Sequence, residues 1–200
     1  MRTLFLTQLR DKKSKISIFR SAALKLSHLL AQETLELVKV KKVKIQTPLA
    51  ETNGEILDKN IVLIPILRSG VALLPTFLYY FEQAKVGFIG LKRDEKTAIA
   101  HEYYRNLPKI DKNDQVLLLD PMLATGGSSV DAIKILLDNG AREENIIGVY
   151  LISAPSGMAL IKKTFPKLRL IIGVEDEALN NKKYILPGIG DFGDRFFGTD

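Results

Sequence analysis

The chain has 200 residues, 46% of them hydrophobic and 26% charged, with a net charge of +6 and a pI near 9.4. That balance suits one globular α/β domain spanning 1–200. With no cysteine and only His28 and His101, well separated, the composition excludes disulfides, thiolate metal sites and a cysteine nucleophile, and makes a histidine-built metal site unexpected.

In chain order, the apolar patch Leu4–Leu6 meets charge too soon to be a signal-peptide core. Ile18, Ala22, Leu26, Leu29 and Leu30 recur at helical spacing, which predicts a helix over 18–37 with Ser14 or Ser17 as N-cap and His28 as a packing residue. Residues 38–57 mix Val38, Val40, Val43 and Ile45 with Lys39, Lys41, Lys42 and Lys44. This reads as an exposed hairpin arm turning at Asn53-Gly54. Its lysines read as protection of an exposed edge; a nucleic-acid patch is the alternative.

The run Ile61–Ile64 reads as a strand buried on both faces, followed by a helix over 71–81 and a strand over 86–91. Residues 93–107 show no period and read as a long functional loop. Val116–Leu119 is a further buried strand, with a helix over 129–137 stopped at Asn139-Gly140. Strands at 146–152 and 168–174 flank a helix at 158–164, and the segment 184–200 is glycine-rich without period. The Pro-interrupted apolar runs 61–67 and 71–81 are too short for a bilayer, so no membrane partner is expected and the protein reads as soluble and cytoplasmic.

Strands alternating with helices predict an open, mostly parallel α/β sheet flanked by helices, carrying a small β-hairpin arm. In such sheets ligands bind beyond the carboxyl ends of the strands. One such end is the most informative stretch: Asp120, Pro121, Met122, Leu123, Ala124, Thr125, Gly126, Gly127 and Ser128 follow the strand Val116–Leu119 directly. A lone Gly-Gly is only a tight turn. An acid, a small-residue turn and a helix start together form an anion site, because backbone N–H groups and the helix dipole converge on one point. The spacing fits neither the Walker A loop nor the dinucleotide fingerprint.

This stretch resembles the phosphoribosyl pyrophosphate (PRPP) signature of the type I phosphoribosyltransferases, in the single-acid form of the uracil phosphoribosyltransferases. Other segments resemble the same family in order along the chain: Leu6–Asp11 with Ser14 and Phe19-Arg20 at the N-terminus, Pro65–Gly70 as its pyrophosphate loop, Arg93–Thr97 as the start of its flexible loop, and Tyr184–Thr199 as its uracil-binding tail. Ser69 stands where alanine is common, and Phe192 where many bacterial members have alanine.

The resemblance implies transfer of the phosphoribosyl group of PRPP to uracil, giving UMP and pyrophosphate in pyrimidine salvage. It implies that residues 124–128 hold the 5-phosphate and that Asp120 binds the ribose hydroxyls. Arg68 and Arg93 then serve the leaving pyrophosphate, and Ile185, Gly190, Asp191 and Phe192 meet uracil. No dedicated metal site is implied; Mg²⁺ arrives on PRPP, with Asp191 helping to orient it. Some relatives are activated by GTP, so an allosteric GTP site is a further possibility, as is a homodimer formed through the 38–57 hairpin.

These roles suit the chemistry. Breaking the bond from C1 to pyrophosphate puts positive charge on the ribose and negative charge on the leaving group. A carboxylate suits the first and a guanidinium fork the second. Backbone groups of a glycine-shaped loop can match the acceptor–donor–acceptor edge of uracil, which cytosine would leave partly unpaired. Two alternatives share the fold. One is a non-catalytic PRPP or nucleotide sensor, which would lose the arginines or the base loop, both kept here. The other is an RNA-binding pyrimidine regulator, whose branch carries two acids in this motif where Leu119-Asp120 has one; no nucleic-acid partner is therefore expected.

Overall fold

The computed structural model describes residues 1–93 and 100–199. The elements in order are α1 (Arg2–Arg10), α2 (Ile16–Leu37), β1 (Val40–Gln46), β2 (Glu51–Leu57), β3 (Ile61–Leu67), α3 (Leu74–Tyr80), β4 (Lys85–Val86), β5 (Phe88–Arg93), β6 (Ala100–Asn106), β7 (Gln115–Leu119), β8 (Met122–Leu123), α4 (Gly127–Asp138), β9 (Ile146–Ser153), α5 (Pro155–Thr164), β10 (Arg169–Glu175), β11 (Ala178–Leu179), β12 (Ile185–Leu186) and α6 (Phe192–Phe197).

The main sheet runs β10-β9-β7-β3-β5-β6, with β4 on β3 and β8 on β9. All its pairings are parallel except β5 with β6. The central strands are apolar throughout because both faces are covered: every residue of β7 and of β9 is buried. One face carries α1, α2, α3 and α6 over Leu63, Leu117, Leu119, Val149 and Leu151. The other carries α4 and α5 over Val62, Ile64, Val116, Leu118 and Tyr150. No helix among the described residues is long and apolar enough to cross a membrane.

The α/β expectation holds, with local differences. Residues 2–10 form a helix that was not foreseen; Leu6 and Leu9, one turn apart, are its buried contacts. In α2 the buried stripe is Phe19, Ala22, Ala23, Leu26 and Leu30, while Ile18 is 42% exposed. Its N-cap is Lys15 rather than a serine; Ser14 Oγ instead donates to the Gln8 carbonyl at 2.7 Å. His28 packs edge-on against Tyr79 and Tyr80, as a packing residue should.

The hairpin arm is present, but its turn lies at 47–50, not at Asn53-Gly54. Thr47 closes it: its N–H donates to the Ala50 carbonyl and its Oγ1 accepts from Leu49 and Ala50 N–H. Asn53 and Gly54 sit inside β2, opposite Lys44 and Val43. The 93–107 stretch is less irregular than its sequence suggests, because β6 folds back along β5 from Ala100 to Asn106. The loop residues Asp94–Thr97 lie outside the described residues, as does the side chain of Arg93, which ends β5.

Candidate active site

Three loops meet beyond the carboxyl ends of β3, β7 and β10. The first follows β3. The Leu67–Arg68 peptide is cis, and a short 3₁₀ turn then spans Ser69–Ala72. Gly70 has a specific reason to lack a side chain: a Cβ there would stand 2.3 Å from the Leu119 carbonyl oxygen, at the end of β7. The missing side chain lets the Arg68 loop lie directly against the strand that delivers Asp120. Arg68 itself is exposed.

The second loop follows β7. Asp120 N–H donates to the Val149 carbonyl at 3.1 Å. The Asp120 carboxylate accepts from Met122 N–H at 3.3 Å. Burial pushes this carboxyl up to about 7, the Met122 N–H offsetting part of the effect. The apolar members of the motif lock the turn to the sheet: the Pro121 carbonyl accepts from Leu151 and Ile152 N–H, both at 3.0 Å, and β8 pairs Met122 and Leu123 with Ile152 and Ser153. Leu123 is buried in the core.

Ala124, Thr125, Gly126, Gly127 and Ser128 then form the turn into α4. Gly126 is the N-cap, in the left-handed region at φ 85°, and no side chain caps the helix. The first-turn N–H groups are therefore open to an anion, with the helix dipole behind them. The turn is braced from α5, where Ser156 Oγ donates to the Ala124 carbonyl at 3.3 Å.

Behind Asp120 lies Tyr150, wholly buried on β9. Its hydroxyl faces Ser129 without completing a hydrogen bond to it. Burial pushes that hydroxyl pKa up, Ser129 opposes the shift, and the Asp120 charge adds to it.

The third segment is the tail. Ile185 pairs with Leu179 in the small β11–β12 sheet, and its side chain joins the core. Gly190 is exposed at φ 75°. Asp191 is the N-cap of α6, its Oδ1 accepting from Asp194 N–H at 3.0 Å. Phe192 is fully buried between Phe19 and Phe196, with ring centroids 5.4 Å away on both sides.

The structure thus brings Arg68, Asp120 and the 124–128 turn to the same end of the sheet. The tail joins them through Arg68 and Asp194, which are ion-paired. Three charged residues at these loops carry no assignment in the sequence reading: Asp194, which pairs with Arg68, Arg195, which donates to the Ile189 carbonyl, and Asp176, which accepts from Gly188 N–H. Asp194 and Arg195 lie inside the tail motif, where their position after the N-cap Asp191 was the available signal. Asp176 carries no motif signal; it is nonetheless buried at the end of β10.

The family model for uracil phosphoribosyltransferase matches residues 2–199. A uracil phosphoribosyltransferase of Limosilactobacillus fermentum is 40% identical over 97% of this chain and 92% of its own length. One from Mycoplasma mobile is 42% identical over 97% and 93%. Among solved structures, a protein from Aquifex aeolicus superposes with a TM-score of 0.91 at 34% identity, covering all of this chain and 95% of that one. A Staphylococcus aureus hypoxanthine phosphoribosyltransferase reaches a TM-score of 0.52 at 12% identity, over 80% and 76% of the two chains, a likeness of fold alone.

Proposed function

This chain belongs to the uracil phosphoribosyltransferase family, and we propose that it transfers the 5-phosphoribosyl group of PRPP to uracil, forming UMP and pyrophosphate. The observation that carries this reading is the packing of the Arg68 loop on Leu119, which sets a guanidinium, the Asp120 carboxylate and an uncapped helix start at one end of the sheet.

In this reading the 124–128 turn binds the 5-phosphate through its N–H groups, helped by the hydroxyls of Thr125 and Ser128. Asp120 accepts from the ribose hydroxyls and faces the positive charge that grows on the sugar. Its raised pKa suits a site that desolvates a carboxylate until substrate hydroxyls arrive. Arg68 holds the departing pyrophosphate, a role that the family resemblance extends to Arg93. Gly190, Asp191 and Phe192 read the uracil edge with backbone groups, while the buried Phe192 ring fixes the loop in the core and Ile185 supports it.

Magnesium would arrive on the pyrophosphate. The residues fit a hydrated ion rather than a stripped one. Among the described residues no three acids or histidines gather into a cage. Asp191 uses only Oδ1 on the Asp194 N–H, so its other oxygen suits an ion-bound water. Bound there, the ion would supply positive charge beside the leaving group, while the chain's own residues orient both reactants.

The hairpin arm suits a homodimer contact. Both of its strands are exposed almost throughout, and Val40, Ile45, Leu49, Ile56 and Leu57 present apolar surface to solvent. GTP activation is carried over from relatives without an assigned residue; adding GTP to the assay tests it. The reading as a whole is tested by product formation from PRPP with each of uracil, cytosine, hypoxanthine and orotate.

A further inference from the structure

We propose that Asp176 and Arg10 are positioning residues for the base loop, so that the N-terminal helix takes part in recognising uracil. This rests on the tail being the uracil site. Asp176 follows the last residue of β10, and its side chain is 3% exposed. A carboxylate so buried needs strong partners to remain there. It has two, and they come from opposite ends of the chain.

One partner is Arg10, at the end of α1, which makes a two-pronged contact: Nη1 donates to Oδ2 at 3.1 Å and Nη2 to Oδ1 at 2.5 Å. The other is the backbone of the tail, where Gly188 N–H donates to Oδ2 at 2.7 Å. Gly188 lies two residues before Gly190, on a path that tolerates no side chain. Its φ is 68°, and a Cβ there would stand 2.0 Å from the Ile185 carbonyl oxygen. The height of the loop above the sheet is therefore set at Gly188, and Asp176 holds it.

The next residue is held from the same quarter. Arg195 Nη1 donates to the Ile189 carbonyl at 2.7 Å and also to the Leu9 carbonyl, while Nη2 donates to the Asp11 carbonyl at 2.7 Å. Residues 188 and 189 are thus tied through two separate side chains to one short segment, 9–11. That segment belongs to the N-terminal motif Leu6–Asp11, for which neither phosphate nor ribose binding supplies a use. A loop that reads a base edge with its backbone depends on where that backbone sits, and displacements well under an ångström weaken such hydrogen bonds.

The test compares the full-length wild type with Asp176→Asn, Arg10→Gln and Arg10→Lys. Asparagine keeps the shape and the acceptor for Gly188 but loses the ionic pair with Arg10. Each protein is assayed by varying uracil at saturating PRPP, varying PRPP at saturating uracil, and replacing uracil with cytosine. The expected result is a KM for uracil raised about tenfold or more in Asp176→Asn and Arg10→Gln, corresponding to the loss of one charge-assisted contact. The KM for PRPP stays within about twofold, the preference for uracil over cytosine narrows, and Arg10→Lys recovers part of the loss. If Asp176→Asn does not fold, the two Arg10 variants decide. A merely structural role would lower the active fraction and leave both KM values and the base preference unchanged, and that result would overturn the proposal. So would equal rises in both KM values. A wild type that forms no UMP overturns the uracil reading and this proposal with it; an active wild type with unaffected variants overturns this proposal alone.

Discussion

Nη2 of Arg68 stands 3.5 Å from Oδ1 of Asp194. The pair ties the loop after β3 to the helix of the tail, so the two ends of the proposed substrate site are in direct contact. It also means that pyrophosphate oxygens and the Asp194 carboxylate compete for one guanidinium.

Asp194→Asn should therefore ease PRPP binding. The pair is partly exposed, and such pairs contribute at most about 1 kcal/mol, so the KM for PRPP should fall by no more than about fivefold. The effect should shrink at high salt, because screening already weakens the pair in the wild type. Initial rates at low and high ionic strength check both points.

Arg68→Lys keeps the charge and loses the planar fork. A single ammonium cannot reproduce a two-pronged contact with phosphate oxygens, so turnover should fall about tenfold or more, the equivalent of roughly 1.4 kcal/mol. Product inhibition by pyrophosphate should weaken in parallel. Unchanged inhibition would remove Arg68 from the leaving-group site.

Asp120 makes a prediction in pH. Its carboxyl is pushed up to about 7 by burial, and only the carboxylate form accepts two ribose hydroxyl protons. At limiting PRPP, kcat/KM should fall as pH drops through about 7, since that parameter reports the free enzyme. The stability effect has the opposite sense. Between the ordinary value of 3.8 and about 7 the folded chain holds the proton that the unfolded chain has released. Stability from this group is therefore greatest at the acid end of that window and is lost as pH rises through it. Asp120→Asn should melt higher than the wild type above pH 7 while losing about a hundredfold in turnover. Thermal melts and rates on the same preparations check the pair of effects.

Phe192→Ala removes a ring that is fully buried between Phe19 and Phe196. Truncating such a ring costs about 3–5 kcal/mol of stability. The freed loop should raise the KM for uracil without changing the ratio of kcat/KM between uracil and 5-fluorouracil. A selective gain for the 5-substituted base would instead put the ring in the pocket wall.

The central strands were legible because burial on both faces leaves an unbroken apolar run, as in Ile61–Ile64 and Val116–Leu119. The strand–turn–helix arrangement at 120–128 is legible in the sequence because an acid, small residues and a helix start fall within nine consecutive positions. Asn53-Gly54 is a strong local turn signal that strand register overrides: Thr47 closes the hairpin earlier, and Gly54 then pairs with Val43. At the start of α2, Ile18 and Phe19 are both apolar, and only packing against Phe192 marks Phe19 as the buried one. Asp176 could not have been found from local pattern at all, since its partner Arg10 is 166 residues away.

The most direct test of the whole account is UMP formation by the purified chain with PRPP and Mg²⁺, supplied in parallel with uracil, cytosine, hypoxanthine and orotate. The account predicts a nucleotide product with release of pyrophosphate from uracil alone. Product from hypoxanthine or orotate in preference to uracil, or no product from any base with PRPP bound, would contradict it.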